Sequence, residues 1–187
     1  MAIPDWNLSG VLPPFRDTPV DPSSISPYTC TLVELCERFA TSKERVTILQ
    51  GYLKMRARMR EHGLTAGFQW VNGSFPEDVE ATAGRAPNDL DVVTFFAGMT
   101  LQQQVDFLTS VPELAGPDTA KAAFHVDHYF VDLGCEPADL VEQTRYWFGL
   151  FSHTRGSIWK GMVQVDLNTA SDDAEATEFL RTLDGEE

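Results

Sequence analysis

Phe68-Gln69-Trp70-Val71-Asn72-Gly73-Ser74-Phe75 and, about fifteen residues later, Pro87-Asn88-Asp89-Leu90-Asp91-Val92-Val93-Thr94-Phe95-Phe96 decide how this chain is read. Both runs are dense in aromatic and β-branched residues, which predicts strands over 68–72 and 90–96. Side chains alternate along a strand, so Asp89 and Asp91 point one way while Leu90 and Val92 point into a core. The two acids then have Cα atoms roughly 6.5–7 Å apart. Two carboxylates on one face repel and raise each other's pKa unless a cation lies between them. A rigid strand carrying both suits a divalent metal. Gly73 allows close backbone approach, and Ser74 offers a hydroxyl and N–H groups to phosphate oxygens. Asn88 suits the turn that presents the acids.

Gly-Ser followed by Asp-hydrophobic-Asp resembles the signature of the DNA polymerase beta-like nucleotidyltransferase superfamily. The residues that carry the resemblance are Gly73, Ser74, Asp89 and Asp91. It implies that Gly73 and Ser74 contact nucleotide phosphates and that Asp89 and Asp91 bind Mg2+, or Mn2+ in its place. It also implies a third carboxylate from a neighbouring strand. Asp127, in Val126-Asp127-His128-Tyr129, is the choice, with Asp132 and Asp166 as alternatives. The chain looks like the minimal bacterial members, several of which act in toxin–antitoxin or phage-defence modules. The implied fold covers 39–167, with 77–85 as an inserted surface loop.

What the resemblance implies is an enzyme. A nucleoside monophosphate passes in line from an NTP to an acceptor hydroxyl on RNA, protein or a small molecule, and pyrophosphate leaves. Phosphate chemistry also calls for cations. Lys160 and Arg155, in Thr154-Arg155-Gly156-Ser157-Ile158-Trp159-Lys160-Gly161, are the candidates, and Arg85 is a weaker one. A hairpin with surface charges is the plain alternative for that segment. The rival to an enzyme is a catalytically decayed antitoxin or regulatory subunit that binds a protein partner. A metal-dependent hydrolase using the same carboxylates is a third reading. A homo-oligomer or second chain would supply recognition surface that the core lacks.

Composition narrows the setting. With 187 residues, 43% hydrophobic and 22% charged, the chain can build one domain around a sizeable core. No apolar run of membrane-spanning length occurs, and the N-terminus does not read as a secretory signal. Three cysteines, Cys30, Cys36 and Cys135, without a C-x-x-C pair, point to reduced thiols and a cytoplasmic setting. The net charge of −14 weighs against non-specific nucleic-acid binding. Lys43, Arg45, Lys54, Arg56, Arg58 and Arg60 nevertheless cluster, as a solvated helix face or as a stripe for a nucleic acid or an acidic protein.

Residues 1–29 hold six of the eleven prolines and read as an extended leader, with Trp6 and Phe15 as anchors. A nucleotidyltransferase-like domain is expected over 30–170, and an acidic helix or tail over 171–187. Thr31-Leu32-Val33-Glu34 is a capping box opening a short helix. Helices follow over 43–62, with Gly63 at its end, and from Leu101, with Leu101, Val105 and Leu108 as its apolar side. A strand is expected over 122–133, with Phe124, Val126, His128 and Phe130 on one face and Asp127 on the other. His125 and His128 therefore point apart and make no joint zinc site. Pro137 opens a helix to about Ser152 with Leu140, Thr144, Trp147, Phe148 and Phe151 inward, and a strand follows over 157–167. Trp70, Trp147 and Trp159 read as core. The order α-α-β-β-α-β-α-β-α predicts an α/β (α+β) fold, a short mixed sheet flanked by helices.

Overall fold

The computed structural model describes residues 3–184. Five strands form one mixed sheet in the order β1-β5-β2-β3-β4. These are β1 (Tyr28–Thr29), β2 (Gly67–Asn72), β3 (Leu90–Phe96), β4 (Val126–Asp132) and β5 (Val163–Asp166). β2 runs antiparallel to both β3 and β5, whereas β1 is parallel to β5 and β4 is parallel to β3. Seven α-helices accompany the strands among the described residues: α1 (Leu32–Phe39), α2 (Lys43–Glu61), α3 (Val79–Ala83), α4 (Leu101–Ser110), α5 (Pro117–Phe124), α6 (Pro137–Phe151) and α7 (Ala170–Asp184). The protein is therefore mixed α and β, built on an open mixed sheet.

The register sorts side chains into two layers. Val71, Leu90, Val92, Val126, Val163 and Val165 face a large core that includes Leu35 and Phe39 of α1 and Leu49, Tyr52, Met55 and Met59 of α2. Trp70, Val93, Phe95 and Val131 face the other way and pack on Trp147 and Phe151 of α6. Burying aliphatic side chains of this size contributes about 1.5–3 kcal/mol each, which is what holds both layers on the sheet.

The first layer also buries charge. Arg56 is 2% exposed. It donates to Gln69 Oε1 (2.6 Å), the Asp166 carbonyl (2.8 Å), Thr169 Oγ1 (2.8 Å) and both Asp173 oxygens. Arg60 donates to Asp173 as well, at 2.5 Å. Asp173 thus fastens α7 to α2, and those cations hold its carboxyl below the usual range against the opposing effect of burial. Asp172 serves a neighbouring helix, accepting from the Leu32 and Val33 N–H groups at the start of α1. The basic cluster of α2 is accordingly no continuous surface stripe. Arg45 and Arg56 are internal, because a guanidinium with five donors can satisfy several buried acceptors at once.

Several elements differ from expectation. Residues 122–124 are the end of α5, not strand: His125 takes a left-handed conformation (φ 57°), ends the helix and lets β4 begin one residue later. Segment 77–85 contains α3 and is no free loop. Fully buried Arg45 makes a bidentate pair with Glu80 and donates to the Phe75 and Glu77 carbonyls, which ties 75–80 to α2. The last strand is confined to Val163–Asp166, since Lys160 and Gly161 bond to Ser152 and Leu12 instead of a strand. On α4 the apolar residues point outward: Leu101 is 76%, Val105 52% and Leu108 39% exposed, while Phe107 faces the core. Trp159 is likewise exposed at 45%, resting on Phe15. The leader packs through Ile3, Val11 and Leu12 and supplies β1 to the sheet edge.

Candidate functional site

Strand direction gathers the singled-out residues at one end of the sheet. The C-terminal end of β2 meets the N-terminal ends of β3, β4 and β5, because β2 is antiparallel to β3 and β5 and β4 is parallel to β3. In register, Asn72 pairs with Asp91 and Asp91 with Asp127. Cross-strand partners share a face and adjacent strands lie about 4.8 Å apart, so the three side chains form a row on the α6 face. Asp89 precedes the row, just outside β3. Asp132 and Asp166 lie at the far end, paired with Phe96 and Phe68. Asp132 is moreover taken up by Gln104 Nε2 and the Gly134 N–H, both at 2.7 Å.

Gly73 is fitted to this row. Its φ is +79°, and a Cβ added there would lie 1.7 Å from Asp91 Oδ2. The position therefore needs glycine twice over, for its left-handed backbone and for the carboxylate against it. Ser74 follows in the turn, half-buried, its carbonyl accepting from the Glu77 N–H (3.2 Å). The turn is braced from behind by Arg45 on the Phe75 carbonyl (2.6 Å). It is braced from the side by Lys160, which is 4% exposed and donates to the Gly73 carbonyl (2.7 Å) and Glu77 Oε1 (2.5 Å). Burial pulls the Lys160 ammonium below its ordinary pKa, with Glu77 and Asp91 opposing. Lys160 thus belongs to the site as a brace of the bend. Arg155 is exposed in the turn after α6, and Arg85 is exposed with its guanidinium on the Ala86 carbonyl.

The electrostatics are those of crowded acids. Burial, then Asp89 and Asp127, push the Asp91 carboxyl up from 3.8 to about 6, with Lys160 and Lys121 pulling the other way. Asp127 Oδ1 and Asn72 Oδ1 are buried and have no hydrogen-bond partner among the described residues. The other end of the Asn72 amide is fixed, Nδ2 donating to the Phe151 carbonyl at 2.6 Å. Asp89 is held in an ion pair with Lys121 of α5. Beside Asp127, Tyr129 packs on Trp147 at 4.7 Å between ring centroids, and burial pushes its hydroxyl up to about 12.

Among the described residues, no group of three or more His, Cys, Asp or Glu is arranged to hold a metal ion. Within the row, the donors are two carboxylates, Asp91 and Asp127, and one amide oxygen, Asn72. All are hard oxygen donors, and two of their oxygens lack partners. Mg2+ commonly takes one or two carboxylates and completes its shell with water and substrate phosphates, without an all-protein cage. The row fits that chemistry. The two histidines take no part: His125 is exposed at the end of α5, and His128 lies on the opposite face, its Nε2 2.7 Å from Thr94 Oγ1.

Asn72, Glu77 and Lys121 join the site without having been singled out from the sequence. Asn72 carried a usable signal, since it directly precedes Gly73 and sits opposite Asp91 in a simple hairpin register. Lys121 carried none, because its placement depends on α5. That helix is seated by Gly51 of α2, where a Cβ would lie 2.0 Å from the Phe124 carbonyl oxygen.

No helix among the described residues is long and apolar enough to cross a membrane. The chain matches none of the curated proteins and none of the solved structures with which it was compared. A family model does match residues 4–166, which takes in every strand and the whole acidic row. The chain belongs to that family, DUF6932, described as a family of unknown function.

Proposed function

We propose that this protein is a magnesium-dependent nucleotidyltransferase that moves a nucleoside monophosphate from an NTP to an acceptor hydroxyl. The observation that carries the reading is the seat of Gly73 on the Asp91 carboxylate, with Asp127 beside Asp91 on the next strand. The order of parts supports it: Gly-Ser after one strand, Asp-x-Asp opening its antiparallel neighbour, and a further acid on the parallel strand beyond.

Asp91 and Asp127, joined by Asp89, are the residues that would hold Mg2+ or Mn2+. Such an ion, once bound, supplies charge stabilisation to the transferring phosphoryl oxygens. The chain's own contributions are positional. Gly73 leaves the backbone open to phosphate oxygens, and Ser74 adds its hydroxyl. Lys160, clamped by Glu77 and the Gly73 carbonyl, keeps the bend in place. Asp127, with one unpartnered oxygen, is placed to accept the proton of an acceptor hydroxyl. RNA, protein and small-molecule acceptors all fit this scheme, as does a role in a toxin–antitoxin or phage-defence system inside the cell. A panel of labelled NTPs with Mg2+ or Mn2+, offered with tRNA and protein acceptors, tests it. Transfer that survives the double change Asp89→Ala and Asp91→Ala excludes the proposal.

A second reading rests on the Asp89–Lys121 pair, which neutralises part of the site from within. A non-catalytic regulatory or antitoxin subunit needs no more than that. The net charge of −14 suits a basic protein partner. Magnesium-dependent NTP binding by the isolated protein separates the two readings: its presence favours the enzyme, its absence the subunit.

A further inference from the structure

Four acids, Glu77, Asp89, Asp91 and Asp127, and two lysines meet at this end of the sheet, and the lysines are engaged differently. Lys160 is buried, with two fixed acceptors, and its removal would loosen the bend. Lys121 pairs with Asp89, and its side chain is 49% exposed against 16% for the aspartate. Its backbone lies in the last turn of a helix packed on Gly51, while the ammonium reaches the site through a long chain with open solvent on one side. Asp91 and Asp127 lie within its electrostatic reach. Meanwhile Asp127 Oδ1 and Asn72 Oδ1, in the row beyond Asp89, have no hydrogen-bond partner among the described residues. Lys121 thus satisfies the outermost acid and leaves the inner row unsatisfied.

We infer that Lys121 is a built-in counter-cation, which holds Asp89 in the absence of a divalent ion and which ion binding displaces toward solvent. The inference rests on the metal site of the proposed nucleotidyltransferase and adds a step to its loading. Competition follows directly: metal and ammonium cannot both hold the same carboxylate, so the metal's apparent affinity carries the free energy of breaking the pair. A partly exposed pair of this kind corresponds to about fivefold in affinity, or ~1 kcal/mol at 1.4 kcal/mol per tenfold.

The test is Mn2+ titration of the full chain, followed by the electron paramagnetic resonance of free Mn2+, for wild type, Lys121→Met and Lys121→Gln. It is run in 1 M KCl, where exposed charges farther apart than about 3 Å are screened from one another, so that direct contact dominates. The half-exposed position of Lys121 leaves the fold of both variants intact, and circular dichroism verifies this. Both variants should bind Mn2+ about fivefold more tightly than wild type. Equal or weaker binding in the variants, with wild type still binding, overturns the role of Lys121 and leaves the nucleotidyltransferase reading standing. No Mn2+ bound by any of the three proteins overturns that reading and the inference together.

Discussion

Replacing Asp91 by Asn should make the protein more stable and, on the proposed function, inactive. Asn keeps the shape of the side chain and removes the charge that burial, Asp89 and Asp127 disfavour. The folded pKa of about 6, against 3.8 for an ordinary Asp, corresponds at 1.36 kcal/mol per decade to about 3 kcal/mol. The sign follows from proton linkage. Between those two values the folded state keeps a proton that the unfolded chain has released, so wild-type stability falls as pH rises through this window and stays reduced above it. His128 works in the opposite direction. Burial pushes it down to about 3, so it stays neutral where the unfolded chain is charged, and it adds stability as pH rises toward 6.5. The wild-type curve alone therefore mixes two slopes, whereas the difference between Asp91→Asn and wild type cancels the histidine. Urea unfolding of both proteins from pH 4 to pH 8 should show a difference near zero at the acid end. It should grow to about 3 kcal/mol in favour of the variant above pH 6, equivalent to about 6–12 °C in Tm for a chain of this size. Added Mg2+ should stabilise wild type and leave the variant unchanged. A variant that is less stable than wild type by the same amount at every pH would mean that Asp91 acts through a hydrogen bond and that no repulsion is stored in the row.

Gly73→Ala places a methyl group on the Asp91 carboxylate at a backbone φ of +79°. It should cost about 1–3 kcal/mol in urea unfolding and lower Mn2+ affinity, and an unchanged affinity would detach the bend from the acids. Arg56→Met leaves Asp173 and Gln69 buried without their main donor, for an expected loss of about 3–5 kcal/mol by thermal unfolding. A loss below 1 kcal/mol would show that Arg60 and Thr169 satisfy Asp173 without Arg56. Asp172→Ala uncaps α1 from a distance of 139 residues in sequence and should cost about 1 kcal/mol, read as a shift in urea midpoint with no change in metal binding.

How far the sequence spoke for the structure depended on whether a feature was local. β3 follows from residues adjacent in the chain, an aromatic and β-branched run, and α2 from a helical segment that begins after Thr41 or Ser42, of which Ser42 is the cap. The capping box at Thr31 was legible for the same reason. Asp91 beside Asp127 needed only alternation and the parallel pairing of two strands, whereas Asn72 opposite Asp91 was not singled out. What stayed hidden was set by partners distant in sequence. Pro117–Phe124 is a helix whose end packs on Gly51, and its apolar residues blur into the strand that follows. Leu101, Val105 and Leu108 have the spacing of a buried stripe, yet Phe107 is the residue that reaches the core. Arg45 and Arg56 look like surface charge until Glu80 and Asp173 arrive from elsewhere in the chain to meet them. Lys121 reached the site through the same hidden helix.

The most direct measurement is a crystal structure of the protein soaked with Mn2+ and a non-hydrolysable NTP, with data collected at the manganese absorption edge. The account predicts an anomalous peak bonded to Asp91 and Asp127, a triphosphate lying along Gly73 and Ser74, and Lys121 withdrawn from Asp89. Manganese absent from that row, or a nucleotide bound elsewhere on the protein, would contradict it.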